Sequence, residues 1–193
     1  VIGGRFRSRR LPADPPPGTR PTGDRLRETV FNILGARVIE SMFLDVYAGV
    51  GAVGIEALSR GASGVFFVDS SPTACRAIRR NLESLGIAES DRIQVRQGEL
   101  TRVIGKPGER GVEFHIVFLD PPYARADLYE RDLEFLGNVG ALNEGCVVVA
   151  EHDRAVDLPE RAGCFRRSRV HPQGDCALTF YRWESEWETE ESS

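Results

Sequence analysis

Lysine is almost absent from this 193-residue chain: Lys106 stands against 24 arginines. Genomic base composition alone can produce such a ratio, so it carries no functional weight. Met42 is the only methionine, and because the chain opens at Val1, native residues are expected before it. The four cysteines, Cys75, Cys146, Cys164 and Cys176, show no CxxC or Cys/His ligand spacing. That excludes a zinc site and a disulfide framework, and reduced thiols are expected. Long hydrophobic runs are missing too. The apolar stretches at residues 116–119 and 146–150 have the length of buried strands, far below the ~18 residues of a membrane-spanning helix. Nothing near the start reads as a signal peptide. A cytoplasmic protein with no membrane contact and no metal is expected.

What remains is an ordinary globular composition. Hydrophobic residues make up 41% and charged residues 28% of a 21.4 kDa chain, which fits one domain with a single core. At this length about 70% of the unfolded surface is buried on folding, so no staple is needed. The net charge of −4 conceals an asymmetry. Residues 1–27 hold Arg5, Arg7, Arg9, Arg10, Arg20, Arg25 and Arg27 against two aspartates, a local +5, whereas residues 184–193 hold five glutamates and no base. A basic cluster on a short segment is the footprint expected of a nucleic-acid contact, with a solvated basic surface as the alternative.

Three parts are expected along the chain. Residues 1–21 form a basic arm, a short β-hairpin or an extended tail, followed by a proline-rich linker that cannot be helical. Residues 22–183 form the main domain, and residues 184–193 an acidic tail whose composition predicts disorder. Thr22 is positioned to cap a helix whose apolar face is Leu26, Val30, Ile33 and Leu34, stopping near Gly35. Strands are expected at 42–46, 64–68, 92–96, 114–119 and 146–151, alternating with helices at 52–60, 72–85, 100–104 and 127–139. A terminal hairpin is expected at 165–170 and 176–183. Such alternation predicts an α/β fold with a mostly parallel, Rossmann-like sheet and an antiparallel C-terminal edge. His115 falls in a strand and His152 and His171 in loops, none with an evident role.

In open α/β sheets ligands bind at the carboxyl ends of the strands, and four such ends carry informative residues. The first reads Asp45-Val46-Tyr47-Ala48-Gly49-Val50-Gly51-Ala52-Val53-Gly54, a glycine turn opening a helix. With Asp69 at the next strand end, followed by Ser70, this also fits a dinucleotide fingerprint, so the loop alone leaves a nicotinamide oxidoreductase open. An acid at Asp69 suits two ribose hydroxyls. The third end offers Gly98-Glu99, where the acid can accept from an adenine amine or be an exposed first-turn residue. The fourth reads Asp120-Pro121-Pro122-Tyr123. Two prolines remove two backbone donors and stiffen the turn, leaving the Asp120 carboxylate and the Pro121 carbonyl as acceptors suited to an amino group. Tyr123 offers a ring on which an extruded base can stack, worth ~1–3 kcal/mol.

The series Asp45, Gly49-x-Gly51, Asp69 and Asp120-Pro121-Pro122-Tyr123 resembles the class I S-adenosylmethionine-dependent methyltransferases that act on amino nitrogens. Further segments narrow the resemblance: Ile2-Gly3-Gly4-x-x-Arg7, Arg20-Pro21-Thr22-x-x-Arg25-x-Arg27-Glu28-x-x-Phe31-Asn32, and Gly54-x-Glu56-Ala57-x-Ser59-Arg60-Gly61. Over residues 1–183 the chain is similar to the bacterial 16S rRNA guanine-N2 methyltransferases of the RsmD family.

That resemblance implies methylation of N2 of guanine 966, in conventional rRNA numbering, on an assembling small ribosomal subunit; separately, a monomer is expected. The resemblance also implies S-adenosylmethionine held by Asp45, Tyr47, Gly49, Gly51, Asp69, Ser70, Gly98, Glu99 and Asp120. The amine is expected to be held by Asp120, Pro121, Pro122 and Tyr123. From the basic cluster itself, Arg5, Arg7, Arg9, Arg10 and Arg20 are the candidates for rRNA phosphate contacts, with Arg25 and Arg27 either reaching RNA or tethering the helix to the cofactor pocket. Glu99 stands where methyltransferases often carry aspartate. Two other readings remain at this level: an adenine-N6 or cytosine-N4 amino-methyltransferase of DNA or RNA, and a noncatalytic RNA-binding assembly factor.

Overall fold

Apolar strands short enough to be covered on both faces, separated by amphipathic helices, condense here into one layered sheet. The computed structural model describes residues 1–13, 23–105, 112–122 and 125–184. In chain order the elements are α1 (Asp24–Leu34), β1 (Met42–Val46), α2 (Ala52–Ser59), β2 (Gly64–Asp69), α3 (Pro72–Ser84), β3 (Ile93–Gln97), α4 (Leu100–Val103), β4 (Phe114–Leu119), α5 (Asp127–Asn138), β5 (Leu142–Asp153), β6 (Arg161–Ala162), β7 (Phe165–Gln173) and β8 (Cys176–Trp183). The sheet order is β3-β2-β1-β4-β5-β8-β7-β6. Strands β1 to β5 pair in parallel, β8 runs antiparallel to β5, and β7 antiparallel to β8. This is the mixed α/β sheet with an antiparallel C-terminal edge expected from the sequence.

Strand order reverses between β1 and β4, so a crevice opens beyond their carboxyl ends. The two central strands are nearly all interior: β1 is buried at every position, as a strand covered on both faces must be. Phe43, Phe67, Ile116, Phe118 and Val149 pack toward α1, α2 and α3. Leu44, Val46, Val68, Leu119 and Val148 pack on the other face with Leu133 and Leu136 of α5. In register, Val46 lies beside Leu119, which sets the glycine turn after β1 next to Asp120.

Local signals explain most boundaries. Helix α1 buries Leu26, Val30, Phe31 and Leu34 and stops where Gly35 takes a φ of 54°. Its preceding residue is Gly23, and Thr22 lies outside the described residues. Ser71 caps α3 by accepting from the Ala74 amide at 3.3 Å, with Pro72 in the first turn. Strand β5 starts earlier than expected, at Leu142, because a register shift lets Leu142 pair with Phe114 before Val147 pairs with Ile116. The intervening Asn143-Glu144-Gly145 is polar and hides the strand. Strand β7 likewise runs on to Gln173, and its Pro172 is tolerated because β6 spans only two residues and leaves that end of β7 an edge. His152 and His171 therefore sit in strands rather than loops.

The arm is not a β-hairpin. Residues Gly4–Phe6 form a single 3-10 turn, and the N-terminal ammonium donates to the Arg9 carbonyl at 2.8 Å while the Ser8 amide donates to the Val1 carbonyl at 3.0 Å. The closed loop is bound to α2. The Ile2 and Gly3 amides donate to the two carboxylate oxygens of Glu56 at 2.7 and 2.8 Å, and the Phe6 amide donates to the Ser59 hydroxyl at 2.8 Å. These donors find acceptors on a helix, so no second strand is needed. Glu184, counted with the acidic tail, ion-pairs with Arg161 and Arg166 at 3.1 Å each, and residues 185–193 lie outside the described residues.

Candidate active site

The turn after β1 is built by three glycines with two different tasks. Gly49 and Gly51 adopt φ of 56° and 76°, a left-handed backbone that glycine enters without steric cost. Gly54 serves packing, since a Cβ there would sit 2.4 Å from the Phe67 ring. The turn thereby presents backbone to the crevice at the N-terminus of α2, where amides are unpaired within the helix.

Asp69 closes this turn. Its carboxylate accepts from the Gly49 amide at 2.9 Å through one oxygen and from the Ser71 amide at 2.8 Å through the other. A carboxylate has about four lone-pair sites, so one on each oxygen stays available to a pair of vicinal hydroxyls. Ser70 beside it is exposed. The Gly98 amide donates to the Asp69 carbonyl at 3.0 Å, which brings the end of β3, with Glu99, to the same rim.

Asp45 is placed differently from the expectation that it holds the methyl donor. It is 2% exposed, lies behind the turn, and accepts from the Gly54 amide at 2.8 Å. Burial pushes its carboxyl up to about 8, against the lowering effect of that hydrogen bond, and the charge of Asp69 adds to the rise. Near neutrality it is thus largely a neutral acid bracing the start of α2.

Tyr47 occupies a φ of 61°, an uncommon conformation for a bulky residue. Its hydroxyl donates to Oδ2 of Asp132 at 2.5 Å. Asp132, fully buried on α5, accepts through Oδ1 from Arg131 at 2.8 Å, and Arg131 lies 3.7 Å from Oε2 of Glu99. Burial is the main cause that raises both the Asp132 carboxyl and the Tyr47 hydroxyl above their ordinary values. Polar residues on three elements therefore line one side of the crevice.

Asp120 follows β4 directly and is half-buried, Pro121 is buried and Pro122 exposed. The Pro122 carbonyl accepts from the Arg125 amide at 2.8 Å. Tyr123 lies outside the described residues, as does Arg20.

Of the remaining arginines, Arg5, Arg7, Arg9, Arg10 and Arg25 are exposed. Arg27 is a correction to its expected contact with RNA: at 6% exposure it cannot reach a phosphate. Its guanidinium bonds Asp24 at 2.8 Å and lies 4.0 Å from Glu56, tethering α1 to α2. Three residues to which the sequence assigned no role hold this architecture. Glu56, completely buried, anchors both the arm and, at 2.7 Å, Arg60. Asn81 accepts from the Ala13 amide and donates to the Val50 carbonyl, each at 2.9 Å. Asp132 anchors Tyr47. The signal for Glu56 was its place among Val53, Ile55 and Ala57 in a helix apolar all round; Asn81 and Asp132 carried none.

Residues 1–182 match the family described as conserved hypothetical protein 95. The chain is 35% identical over 182 residues to a Bacillus subtilis protein named "Putative rRNA methyltransferase YlbH", covering 94% of this chain and 97% of that one. It is 31% identical over 190 residues to ribosomal RNA small subunit methyltransferase D of Escherichia coli, covering 98% of this chain and 92% of the other. A solved structure, "Putative methyltransferase yhhF from Escherichia coli", superposes with a TM-score of 0.81 at 32% identity, covering 96% of this chain and 98% of that one.

Proposed function

Because the chain belongs to the family described as conserved hypothetical protein 95, we propose that it methylates small-subunit ribosomal RNA, on the exocyclic N2 amine of guanine 966, with S-adenosylmethionine as donor. The observation that carries this reading is the apposition of two strand ends: the glycine turn after β1 and the rigid Asp120-Pro121-Pro122 turn after β4, joined by the register Val46 to Leu119. The first suits an adenosyl donor and the second an amine acceptor. The residues fit the donor: the left-handed turn leaves space at Gly49, where an added Cβ would meet nothing within 4 Å, and Asp69 retains lone pairs for a ribose.

Bound there, the donor supplies an electrophilic methyl on a sulfonium. Asp69 and the turn around Gly49 and Gly51 hold its ribose and methionine ends, and Gly98 and Glu99 take the adenine side. Asp120 and the Pro121 carbonyl accept from the two amine hydrogens and aim the nitrogen lone pair at the methyl position. As the nitrogen–carbon bond would form and the methyl–sulfur bond break, with a neutral thioether as leaving group, the Asp120 carboxylate would stabilise the positive charge on nitrogen, and the proton would pass to solvent only afterwards. Acceleration comes from orientation and fixed charge rather than from a covalent intermediate. The exposed arm arginines grip RNA phosphates, and extrusion of the target base costs a few kcal/mol unless it already lies in a loop.

The test is incubation with methyl-labelled donor and small subunits lacking the modification, beside naked rRNA and DNA, followed by nucleoside analysis. Label in N2-methylguanosine from the subunit supports the reading. Label in N6-methyladenine or N4-methylcytosine replaces the target base, and donor binding without transfer replaces the enzyme with an assembly factor. In the same assay Asp120→Ala is expected to lower transfer at least a hundredfold, matching ~2.7–4 kcal/mol for one preorganised electrostatic contact, with donor affinity little changed. A loss below tenfold removes Asp120 from the chemistry.

A further inference from the structure

The polar cluster beside the crevice is larger than stability explains. Arg131 and Glu99 have side chains 38% and 49% exposed, and such pairs contribute about 0–1 kcal/mol. Yet Arg131 is held with care. Its Nε and Nη2 both meet Oδ1 of Asp132, at 2.9 and 2.8 Å, and its Nη2 also donates to the Tyr47 hydroxyl at 3.3 Å. Asp132 has both oxygens engaged, Oδ1 by Arg131 and Oδ2 by Tyr47, and is withdrawn from solvent. Tyr47 in turn is kept in a left-handed conformation that costs of order 1–3 kcal/mol. The outcome is that the end of β1, the second turn of α5 and the turn between β3 and α4 are joined through one guanidinium, whose remaining arm points at Glu99.

We propose that Arg131 is a positioning residue for adenine recognition: locked by Asp132 and Tyr47, it holds the Glu99 carboxylate at the crevice rim to accept from an exocyclic amine. This rests on the donor assignment made above. Without Arg131, Glu99 is an exposed helix-start residue with free rotamers and must be ordered before it can accept a hydrogen bond. With it, the acceptor is set in advance, and a base carrying a carbonyl in place of the amine meets an acceptor facing an acceptor.

The inference is tested by calorimetric titration with S-adenosylhomocysteine and S-inosylhomocysteine, which differ in that amine. The protein is expected to prefer the adenosyl ligand. Arg131→Met is expected to weaken it roughly tenfold, the order of one lost hydrogen bond, while leaving the inosyl ligand unchanged. Glu99→Gln narrows the same ratio, and the double variant is no weaker than either single one because both act through one carboxylate. Tyr47→Phe, which removes only the hydroxyl, moves the ratio the same way by less, and decides the matter if Arg131→Met does not fold. An unchanged ratio, or equal weakening of both ligands, overturns the inference. Equal binding of both ligands by the unaltered protein also overturns it while leaving the donor assignment standing, and binding of neither overturns that assignment.

Discussion

Single residues at the crevice show how burial sets chemistry. Asp45 and Asp69 are both strand-end aspartates reaching the same glycine turn, yet one is buried behind it and the other half-exposed beside it. From sequence both were expected to contact the ligand, and only the side of the turn each occupies separates them. Because the folded protein holds the Asp45 carboxyl near 8 against an ordinary 3.8, it binds a proton that the unfolded chain has already released. The stability contributed by the neutral acid is whole below about pH 4, erodes as pH rises toward 8, and is gone above it. The melting temperature is therefore expected to fall between roughly pH 5 and pH 9. Asp45→Asn, whose carbonyl still accepts from Gly54, is expected to flatten that slope in a thermal denaturation series; an unaltered slope assigns it to other groups.

At the scale of elements, the arm and α2 fit each other closely. A Cβ on Gly4 would lie 1.8 Å from the Ser59 carbonyl oxygen, at a φ of 69°, so Gly4→Ala cannot keep the loop seated. That variant is expected to bind the methyl donor normally but RNA more than about tenfold weaker, since a released arm must be ordered again on each encounter. Equal RNA affinity would show that docking is irrelevant to the grip. Elements formed by local pattern were legible: β1, β4 and β8 begin and end where turn signals and apolar runs place them. What escaped depends on partners distant in sequence. A basic, glycine-bearing arm looks alike whether its amides meet a second strand or a glutamate 53 residues on, and the two-residue β6 has no periodicity to detect. The strand-end acids and glycines were legible because topology brings carboxyl ends together, whereas Asp132 became part of the site only through the packing of α5.

For the whole molecule, the net charge of −4 is a poor guide to its encounters. Four arm arginines and Arg25 are exposed, while Arg27 is spent inside the fold. If the arm's four meet single-stranded phosphates, the logarithm of RNA affinity should fall with the logarithm of salt at a slope of about −3. A filter-binding series over a tenfold salt range checks this, and a slope near zero would remove the arm from the interface. Among the described residues no helix is long and apolar enough to cross a membrane, and no cluster of ligating side chains suits a metal ion.

The side-chain amide of Asn81 connects two segments distant in sequence. It is fully buried, its oxygen accepting from the Ala13 amide at the end of the arm and its nitrogen donating to the Val50 carbonyl in the glycine turn after β1. A shift of either segment strains the same side chain. If RNA meets the arm and the donor meets this turn, as proposed, any free energy that one confers on the other's binding through this joint is returned in equal measure.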